Sequence, residues 1–204
     1  MSKEKVQAIW VSKSVEDTQK IYADWAENYD SDVTEWGYAT PGRIAEALAP
    51  RIGDTTLPVL DFGCGTGISG VALKQAGFQT IDGMDISQEM LELARPKALY
   101  RDLRHAEPGT VKGVTPGDYA AIVAAGVISI GAAPPETLSI VLNHLAPGGL
   151  LAFSFNDPTF EAGTYEPVLA QELAAGRAEM LFREHGPHLP EKNMESTVFI
   201  LRRL

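Results

Sequence analysis

A glycine-rich turn between an apolar run and an amphipathic segment constrains this chain more than any other feature. The stretch VLDFGCGTG, residues 59–67, ends an apolar run and then alternates Gly63, Gly65 and Gly67 with small residues. Glycine adopts positive φ readily and lets a ligand approach the main chain closely. The helix predicted from Ile68 would turn its free amide groups toward that ligand, and these amides favour an anionic group. The pattern predicts a buried strand, a tight turn and a helix that together hold a nucleoside cofactor.

Two cofactors fit such a turn, NAD and S-adenosylmethionine (SAM), and charge separates them. A dinucleotide turn reads G-x-G-x-x-G, whereas Ile68 occupies the place of its third glycine. Asp61 stands at the end of the strand, where a carboxylate would repel a pyrophosphate. The same carboxylate would attract the ammonium group of SAM, directly or through water, while the turn amides meet the carboxylate of SAM. The turn therefore favours SAM.

A second acid follows the next predicted strand. The segment TIDGMDIS, residues 80–87, predicts a strand that ends in Asp85 and a helix that begins after the N-cap Ser87. In a β-α-β unit, an acid at this place accepts hydrogen bonds from the two ribose hydroxyls. Ile86 would then lie against one face of the adenine. An Asp before a helix is also common as a solvated cap, but its combination with the glycine turn favours the ribose role.

These motifs resemble those of a known enzyme family. VLDFGCGTG and GMDIS are similar to the first two motifs of class I SAM-dependent methyltransferases. Four further segments resemble more closely the Williams–Beuren-region methyltransferase-like group: YADWAENYD (22–30), GYATP (37–41), AAGVIS (124–129) and APGG (146–149). The resemblance covers the chain from about residue 21 to its end. It implies an α/β fold with a Rossmann-like, mostly parallel sheet of seven strands, an antiparallel C-terminal hairpin strand and an N-terminal helical lid.

Further cofactor contacts follow from the resemblance and from the ends of the strands. Ligands of open α/β sheets bind at the carboxyl ends of the strands. Glu107 follows the third predicted strand, where the family usually carries an acid that binds the adenine amino group; the same residue could simply open a loop. Ala125 and Gly126 end the fourth strand, and Gly126 would let the methionine part of SAM run along the backbone. By resemblance, Tyr22 and Tyr29 also contact the cofactor, where an aromatic face attracts the sulfonium.

The whole chain is predicted to form one SAM-dependent methyltransferase domain, with a lid segment at 1–52 and a core at 53–204. Its 204 residues, of which 45% are hydrophobic, suit one domain with a substantial core. No apolar run reaches the roughly 18–20 residues of a membrane helix, and Met1–Trp10 lack the apolar core of a secretory signal. The lone Cys64, which we interpret as a small residue of the cofactor-binding turn rather than a nucleophile, cannot form an internal disulfide. We therefore expect a cytoplasmic protein without a membrane partner.

The net charge of −10 disfavours nucleic acid as a partner. Nucleic-acid binding requires a basic surface that replaces counterions, and the basic residues between 95 and 104 are interleaved with acidic ones. We predict instead a small-molecule acceptor, apolar or aromatic, methylated at oxygen, nitrogen or carbon. The aromatic residues before the first strand predict a lid over cofactor and acceptor: Tyr22, Trp25, Tyr29, Trp36 and Tyr38.

Strands and helices alternate as a parallel sheet with helical crossovers requires. Strands are predicted at 59–62, 80–85, 103–106, 119–125 and 150–155, followed by an antiparallel pair at 178–184 and 197–203. Helices are predicted at 14–27, 40–49, 68–76, 88–95, 136–145 and 165–175, with Thr40 as a cap of the second and a stop near Pro96 in the fourth.

No catalytic base stands out in the sequence. Methyl transfer needs a base only when the acceptor is an alcohol, a phenol or a protonated amine; otherwise positioning and the exclusion of water suffice. The candidates are His105, His144, Asn156, Asp157 and His188. Of these, His144 is typical of a helix C-terminus, Asn156 and Asp157 of a turn, and His188 of a solvent-exposed loop.

The sequence leaves two rivals open. No paired Cys/His spacing predicts a metal site. A non-catalytic SAM-binding regulator fits a site that lacks an evident base. A nicotinamide-dependent oxidoreductase is the other alternative, although Ile68 and Asp61 argue against it.

Overall fold

Seven strands form one mostly parallel sheet in a computed structural model that describes residues 14–204. The strands are β1 (Val59–Phe62), β2 (Ile81–Asp85), β3 (Asp102–His105), β4 (Ala121–Ala124), β5 (Leu150–Asn156), β6 (Ala178–Leu189) and β7 (Met194–Arg203). Their order across the sheet is β3-β2-β1-β4-β5-β7-β6. Strands β1 to β5 run parallel, and β7 lies antiparallel between β5 and β6. The predicted fold is confirmed; the predicted absence of a signal at Met1–Trp10 lies outside the described residues.

Seven α-helices connect and cover these strands in the described part of the chain. They are α1 (Val15–Glu35), α2 (Thr40–Ile52), α3 (Ile68–Gln75), α4 (Gln88–Ala94), α5 (Thr137–Asn143), α6 (Asp157–Glu161) and α7 (Tyr165–Ala174). Ser87 caps α4 as predicted, since its hydroxyl accepts a hydrogen bond from the Met90 amide. Helix α4 stops at Ala94, just before a 3-10 turn that contains Pro96.

The core lies on both faces of the sheet because successive strand residues point to opposite sides. In β5, Leu150 and Ala152 join one apolar layer with residues of α2 and α3. Leu151 and Phe153 join the other layer, which includes residues of α5 and α7. All of β5 is buried, which is why its first four residues, Leu150 to Phe153, are continuously apolar instead of alternating.

Helix α1 is longer than predicted. The sequence pattern placed its end at Glu27, whereas the helix continues to Glu35. Trp25, Val33 and Trp36 form a buried cluster, and Tyr29 packs against it. This spacing keeps one face of the helix apolar for two more turns. We refer to α1 as the lid helix.

The C-terminal hairpin is also longer than predicted. Strand β6 continues to Leu189 and β7 begins at Met194, so the segment predicted as a loop around Pro187 is paired. Pro187 is tolerated because β6 is the edge strand of the sheet and the register shifts between Pro187 and Leu189. The predicted cap at Thr40 is wrong as well. Ala39 holds the cap position of α2, and the Thr40 side chain bonds to β6 and β7 instead.

The order of the strands places a cleft beside β1. The chain moves outward from β1 to β2 and β3, then returns to the opposite side of β1 with β4. Ligands of open α/β sheets bind at such a reversal, beyond the carboxyl ends of the strands. No helix in residues 14–204 is both long and apolar enough to span a membrane.

Candidate functional site

The turn after β1 leaves its main chain bare toward the cleft. Gly63, Gly65 and Gly67 adopt φ values of 69°, 52° and 96°, which side chains other than glycine rarely accept. A Cβ on Gly63 would lie 2.3 Å from a methyl of Val127, whereas a Cβ on Gly65 would meet no atom within 4 Å. The turn therefore packs tightly on one side at Gly63 and faces open space at Gly65. This is a cradle that a bound ligand can approach closely.

Asp61 is a buried acid with one oxygen unpaired. Its exposed fraction is 0%, and its Oδ2 accepts hydrogen bonds from the hydroxyls of Ser69 at 2.6 Å and Tyr100 at 2.8 Å. Its Oδ1 is the one buried side-chain nitrogen or oxygen of residues 14–204 that has no hydrogen-bond partner. Burial raises the pKa of Asp61 to about 6. The ammonium group of SAM could donate a hydrogen bond to this oxygen, directly or through water, and would balance the charge of the carboxylate. Asp61 therefore fits the cofactor.

Asp85, in contrast, is already anchored. Its Oδ2 accepts a hydrogen bond from the Gly65 amide at 2.7 Å, and its Oδ1 accepts one from the Ser87 amide at 2.9 Å. Burial raises its pKa above the ordinary value, against the effect of these bonds. Each carboxylate oxygen can still accept another hydrogen bond. The carboxylate is thus fixed in position with room for the two hydroxyls of a ribose.

A large cavity extends from this turn along the carboxyl ends of the strands. It contains about 1010 Å³ of empty space, part of it open to solvent. We refer to it as the cofactor cavity. Most of the predicted cofactor residues line it: Tyr22, Tyr29, Gly63, Gly65, Asp85, Ile86, Glu107, Ala125 and Gly126. Thr18 and Gln19 of the lid helix, which were not predicted, line it too.

Three predicted residues lie outside the lining of this cavity. Asp61 and Cys64 are buried under the turn, and Gly67 turns toward Leu99 and Tyr100. Burial raises the pKa of the Cys64 thiol well above its ordinary value. The thiol is therefore protonated and is a poor nucleophile, in agreement with a packing role.

Glu107 lies at the rim of the cofactor cavity. Its side chain is 64% exposed and forms an ion pair with Lys112 at 2.8 Å. The hydrogen bond and the charge of Lys112 lower the pKa of Glu107. A ligand that binds the Glu107 carboxylate would therefore have to share it with Lys112. The contact between Glu107 and adenine stays a prediction.

The lid helix is fastened to the core on both sides of the glycine turn. Its Gln19 donates a hydrogen bond from Nε2 to the Ile86 carbonyl at 3.2 Å. Its Asp30 accepts hydrogen bonds from the Thr66 hydroxyl and the Lys97 ammonium group. These contacts hold aromatic side chains of the helix over the cleft.

A second cavity lies under the lid helix and adjoins the first. It contains about 470 Å³ of empty space, part of it open to solvent, and we call it the lid cavity. Its lining consists of Tyr22, Trp25, Tyr29, Val33, Trp36, Tyr38, Gly126, Ser129, Ile130, Asn156, His188 and Leu189. Tyr22, Tyr29, Tyr38 and Gly126 line both cavities. Burial raises the pKa of all three tyrosines, that of Tyr22 to about 12, so their hydroxyls stay protonated.

The predicted exposure of His188 is wrong. His188 lies in β6 and is 5% exposed, because the hairpin continues past Pro187 and turns the ring inward. Burial lowers its pKa to about 4. Its Nδ1 forms a hydrogen bond with the Thr40 hydroxyl at 2.7 Å, and Thr40 bonds to the Ser196 hydroxyl at 2.8 Å. This network was missed because its members are 148 and 156 positions apart in the sequence.

The other candidate bases have structural partners. Asn156 is buried and caps α6, where its Oδ1 accepts from the Thr159 amide and hydroxyl, and Asp157 accepts from the Glu195 amide. His144 follows α5 and bonds through Nδ1 to the Ile140 carbonyl. His105 is exposed, with its Nε2 at 3.0 Å from the Ile86 carbonyl. Of these residues and His188, only Asn156 and His188 line the lid cavity. No cluster of potential metal ligands occurs in residues 14–204.

The sheet order, the bare turn and the unpaired acid define a Rossmann-like fold whose cleft has the charge and shape to fit SAM. Residues 29–198 match a family model described as a methyltransferase domain. The chain belongs to this methyltransferase family.

Relatives support this assignment and the resemblance to the methyltransferase-like group. The chain is 31% identical over 137 residues to human Methyltransferase-like protein 27, covering 66% of this chain and 56% of the relative. It is 30% identical over 176 residues to aklanonic acid methyltransferase DauC of Streptomyces sp. (strain C5), covering 82% and 74%. The chain spans about half the length of the first curated relatives it matches, 56% and 50%.

A solved structure confirms the architecture. A SAM-dependent methyltransferase from Geobacter sulfurreducens, in complex with S-adenosyl-L-homocysteine, superposes with a TM-score of 0.56. The match covers 79% of this chain and 91% of that chain at 14% identity. At this identity the likeness shows the fold.

Proposed function

We propose that this chain transfers the methyl group of SAM to a small acceptor molecule in the lid cavity. The observation that carries this proposal is that the lid cavity adjoins the cofactor cavity, with Tyr22, Tyr29, Tyr38 and Gly126 in both linings. A methyl group passes directly from sulfur to the acceptor atom, so donor and acceptor must be held in contact. The aromatic walls of the lid cavity suit an apolar or aromatic acceptor.

Residues that line the cofactor cavity, together with Asp61 behind the turn, would hold SAM. Asp61 would face its amino group through the unpaired Oδ1, and Asp85 would accept hydrogen bonds from the ribose hydroxyls. Ile86 would lie against the adenine, and Glu107 would bind the adenine amino group. Of the remaining predicted residues, six would surround the methionine part: Tyr22, Tyr29, Gly63, Gly65, Ala125 and Gly126. Cys64 and Gly67 would act through the shape of the turn.

The protein would accelerate the transfer by position and by excluding water. When bound, SAM supplies a methyl group on a positively charged sulfur, which is already activated for transfer. The tyrosines that line both cavities would attract this charge with their ring faces. Holding the acceptor atom in line with the methyl group removes much of the entropic part of the barrier. An acceptor that is already nucleophilic then needs no base.

Two observations favour a small acceptor. The net charge of −10 disfavours nucleic acid, and aklanonic acid methyltransferase, as its name says, acts on an organic acid. The acceptor would be methylated at oxygen, nitrogen or carbon. The buried, free Cys64 is compatible with a reducing compartment, so we include a cytoplasmic location in the proposal.

Two measurements test this function. Calorimetry with SAM, S-adenosylhomocysteine and NAD should give binding of the first two and none of NAD. The protein should then be incubated with a cell extract and with SAM that carries a labelled methyl group. Dialysis afterwards separates the products into a dialysable fraction of small molecules and a retained fraction of macromolecules. After unreacted SAM has been removed, we expect transferred label in the dialysable fraction. Label confined to the retained fraction would indicate a macromolecular acceptor, and binding without any transfer would indicate a SAM-binding regulator.

A further inference from the structure

The lid cavity contains a buried histidine whose second nitrogen is unused by the protein. His188 lines this cavity, and its ring lies edge-on to Tyr38 at 5.2 Å between centroids. Its Nδ1 is engaged by Thr40. Within the described residues, Nε2 makes no hydrogen bond, yet it is not among the fully buried unpaired atoms. The Nε2 edge is therefore the polar part of the ring that an occupant of the cavity can meet.

The hydrogen-bond network behind the ring determines which nitrogen carries the proton. Arg43 donates a hydrogen bond from its guanidinium to the Ser196 hydroxyl oxygen at 3.2 Å. Arg can only donate, so the Ser196 hydroxyl is free to donate to Thr40, and Thr40 in turn donates to Nδ1 of His188. The opposite polarity would leave the Ser196 hydrogen without an acceptor among the described residues. The ring is thus the tautomer that carries its proton on Nε2.

The second polar group on the cavity wall is also a donor. Asn156 uses its Oδ1 to accept from the Thr159 amide at 3.1 Å and the Thr159 hydroxyl at 2.6 Å. An amide nitrogen can only donate, so this contact fixes the orientation of the Asn156 side chain. Its Nδ2 makes no hydrogen bond with the described residues and, like Nε2 of His188, is not among the fully buried unpaired atoms. The NH₂ group is therefore available to an occupant.

The lining of the lid cavity contains no carboxylate, lysine or arginine. Besides the hydroxyls of the tyrosines and of Ser129, the last of which donates to the Gly126 carbonyl, the side chains offer two donor groups, the Nε2–H of His188 and the NH₂ of Asn156, on otherwise largely apolar walls. A buried donor without a partner is costly, and a carboxylate oxygen is a strong acceptor for it. An alcohol or phenol acceptor would instead need a base to remove its proton. Because Nε2 of the neutral His188 ring already carries a proton, that nitrogen cannot act as the base.

We propose that the acceptor is an apolar or aromatic carboxylic acid, bound as its carboxylate by His188 Nε2–H and Asn156 Nδ2–H. This inference rests on the proposed function and adds the substrate class. One carboxylate oxygen attacks the methyl carbon, the carbon–sulfur bond breaks, and its electron pair stays on sulfur. The products are a methyl ester and neutral-sulfur S-adenosylhomocysteine. The positive charge of the sulfonium and the negative charge of the carboxylate cancel, and no proton is released.

The chemical stability of the transferred label tests the substrate class. Methyl esters hydrolyse in alkali and release volatile labelled methanol, whereas methyl ethers, methylamines and C-methyl groups do not. The dialysable products of the labelling experiment should therefore release their label in alkali. Label that enters this fraction but resists alkali would overturn the carboxylate inference and leave the proposed function standing. A complete lack of label in the fraction would overturn the proposed function itself.

Matched variants test the two donors. In His188→Asn the amide can still bond to Thr40 but no group replaces Nε2, whereas His188→Gln places an amide nitrogen near the Nε2 position. We expect ester formation to fall about tenfold in His188→Asn, the cost of one lost hydrogen bond to a charged group, with partial rescue in His188→Gln. Asn156→Asp keeps the hydrogen bonds to Thr159 and replaces the donor by a carboxylate. Because this carboxylate would repel an anionic acceptor, the KM of the acceptor should rise by about tenfold or more.

These variants should bind SAM with unchanged affinity, which also shows that they are folded. Full ester formation in His188→Asn would overturn the role of Nε2. An unchanged or lower KM in Asn156→Asp would mean that the cavity does not receive an anion.

Discussion

Two acids at the carboxyl end of the sheet, Asp61 and Asp85, are both buried but differ in how they are satisfied. Each carboxylate oxygen of Asp85 accepts a hydrogen bond from a backbone amide. Asp61 uses one oxygen for Ser69 and Tyr100 and leaves the other without a partner. An unpaired buried acceptor costs about 1–3 kcal/mol, and more when it is charged. The free protein therefore keeps Asp85 ready in position and holds Asp61 in an unfavourable state that a cation would relieve.

The ribose role of Asp85 is tested by Asp85→Ala. The change should weaken SAM binding by about tenfold or more, because two hydrogen bonds to a charged acceptor are lost. Calorimetry gives the affinity, and circular dichroism shows whether the sheet is retained. Asp85→Asn, which keeps one oxygen for the Gly65 or Ser87 amide, separates the loss of charge from a loosened turn. SAM affinity equal to that of the unmodified protein in Asp85→Ala would contradict the assignment.

The sequence predicted the first two strands and their acids well because local patterns determine them. The apolar run, the glycines after β1 and the Ser87 cap are signals that neighbouring residues carry by themselves. His188 could not be placed in this way. Its burial depends on β6 continuing past Pro187 and on Thr40 reaching it across 148 positions of sequence, and neither leaves a local signal.

At the scale of elements, packing decides where the lid helix ends. The sequence pattern predicts that the helix ends at Glu27, but Val33 and Trp36 pack in one buried cluster with Trp25, and the helix continues to Glu35. The extra turns carry Asp30 to Thr66 and Lys97. Tertiary contacts thus lengthen the helix, and the longer helix covers the cavities with its aromatic side chains.

The attachment of the lid helix is tested by Asp30→Ala. Its side chain is 44% exposed, so its pair with Lys97 contributes about 1 kcal/mol or less. We expect amide hydrogen exchange in α1 to accelerate several-fold, as for an element of low local stability, and SAM affinity to fall by a similar factor. Glu27→Ala, an exposed change on the same helix, serves as the control. Equal exchange in both variants would show that aromatic packing alone holds the lid helix.

At the scale of the whole molecule, two buried groups make stability depend on pH with opposite signs. The pKa of His188 falls from 6.5 to about 4 on folding, so the unfolded chain binds the extra proton between these values. The free energy of unfolding therefore falls as the pH drops from 6.5 to 4. The pKa of Asp61 rises from 3.8 to about 6, so the folded chain holds the extra proton there. This contribution is present at low pH and is lost as the pH rises through 6; each effect is about 3 kcal/mol.

Asp61→Asn separates the two effects because it removes only the contribution of Asp61. The difference in free energy of unfolding, variant minus unmodified protein, should be about 2 kcal/mol larger at pH 7 than at pH 4, because the unmodified protein loses the contribution of Asp61 as the pH rises. Urea unfolding without SAM at both pH values measures this difference. SAM at pH 7 should then stabilise the unmodified protein more than the variant, because only Asp61 offers a charge to the ammonium group. A difference that does not change with pH would mean that Asp61 ionises in the folded protein as it does in the unfolded chain. Equal stabilisation of both proteins by SAM would mean that the unpaired oxygen of Asp61 does not attract the cofactor.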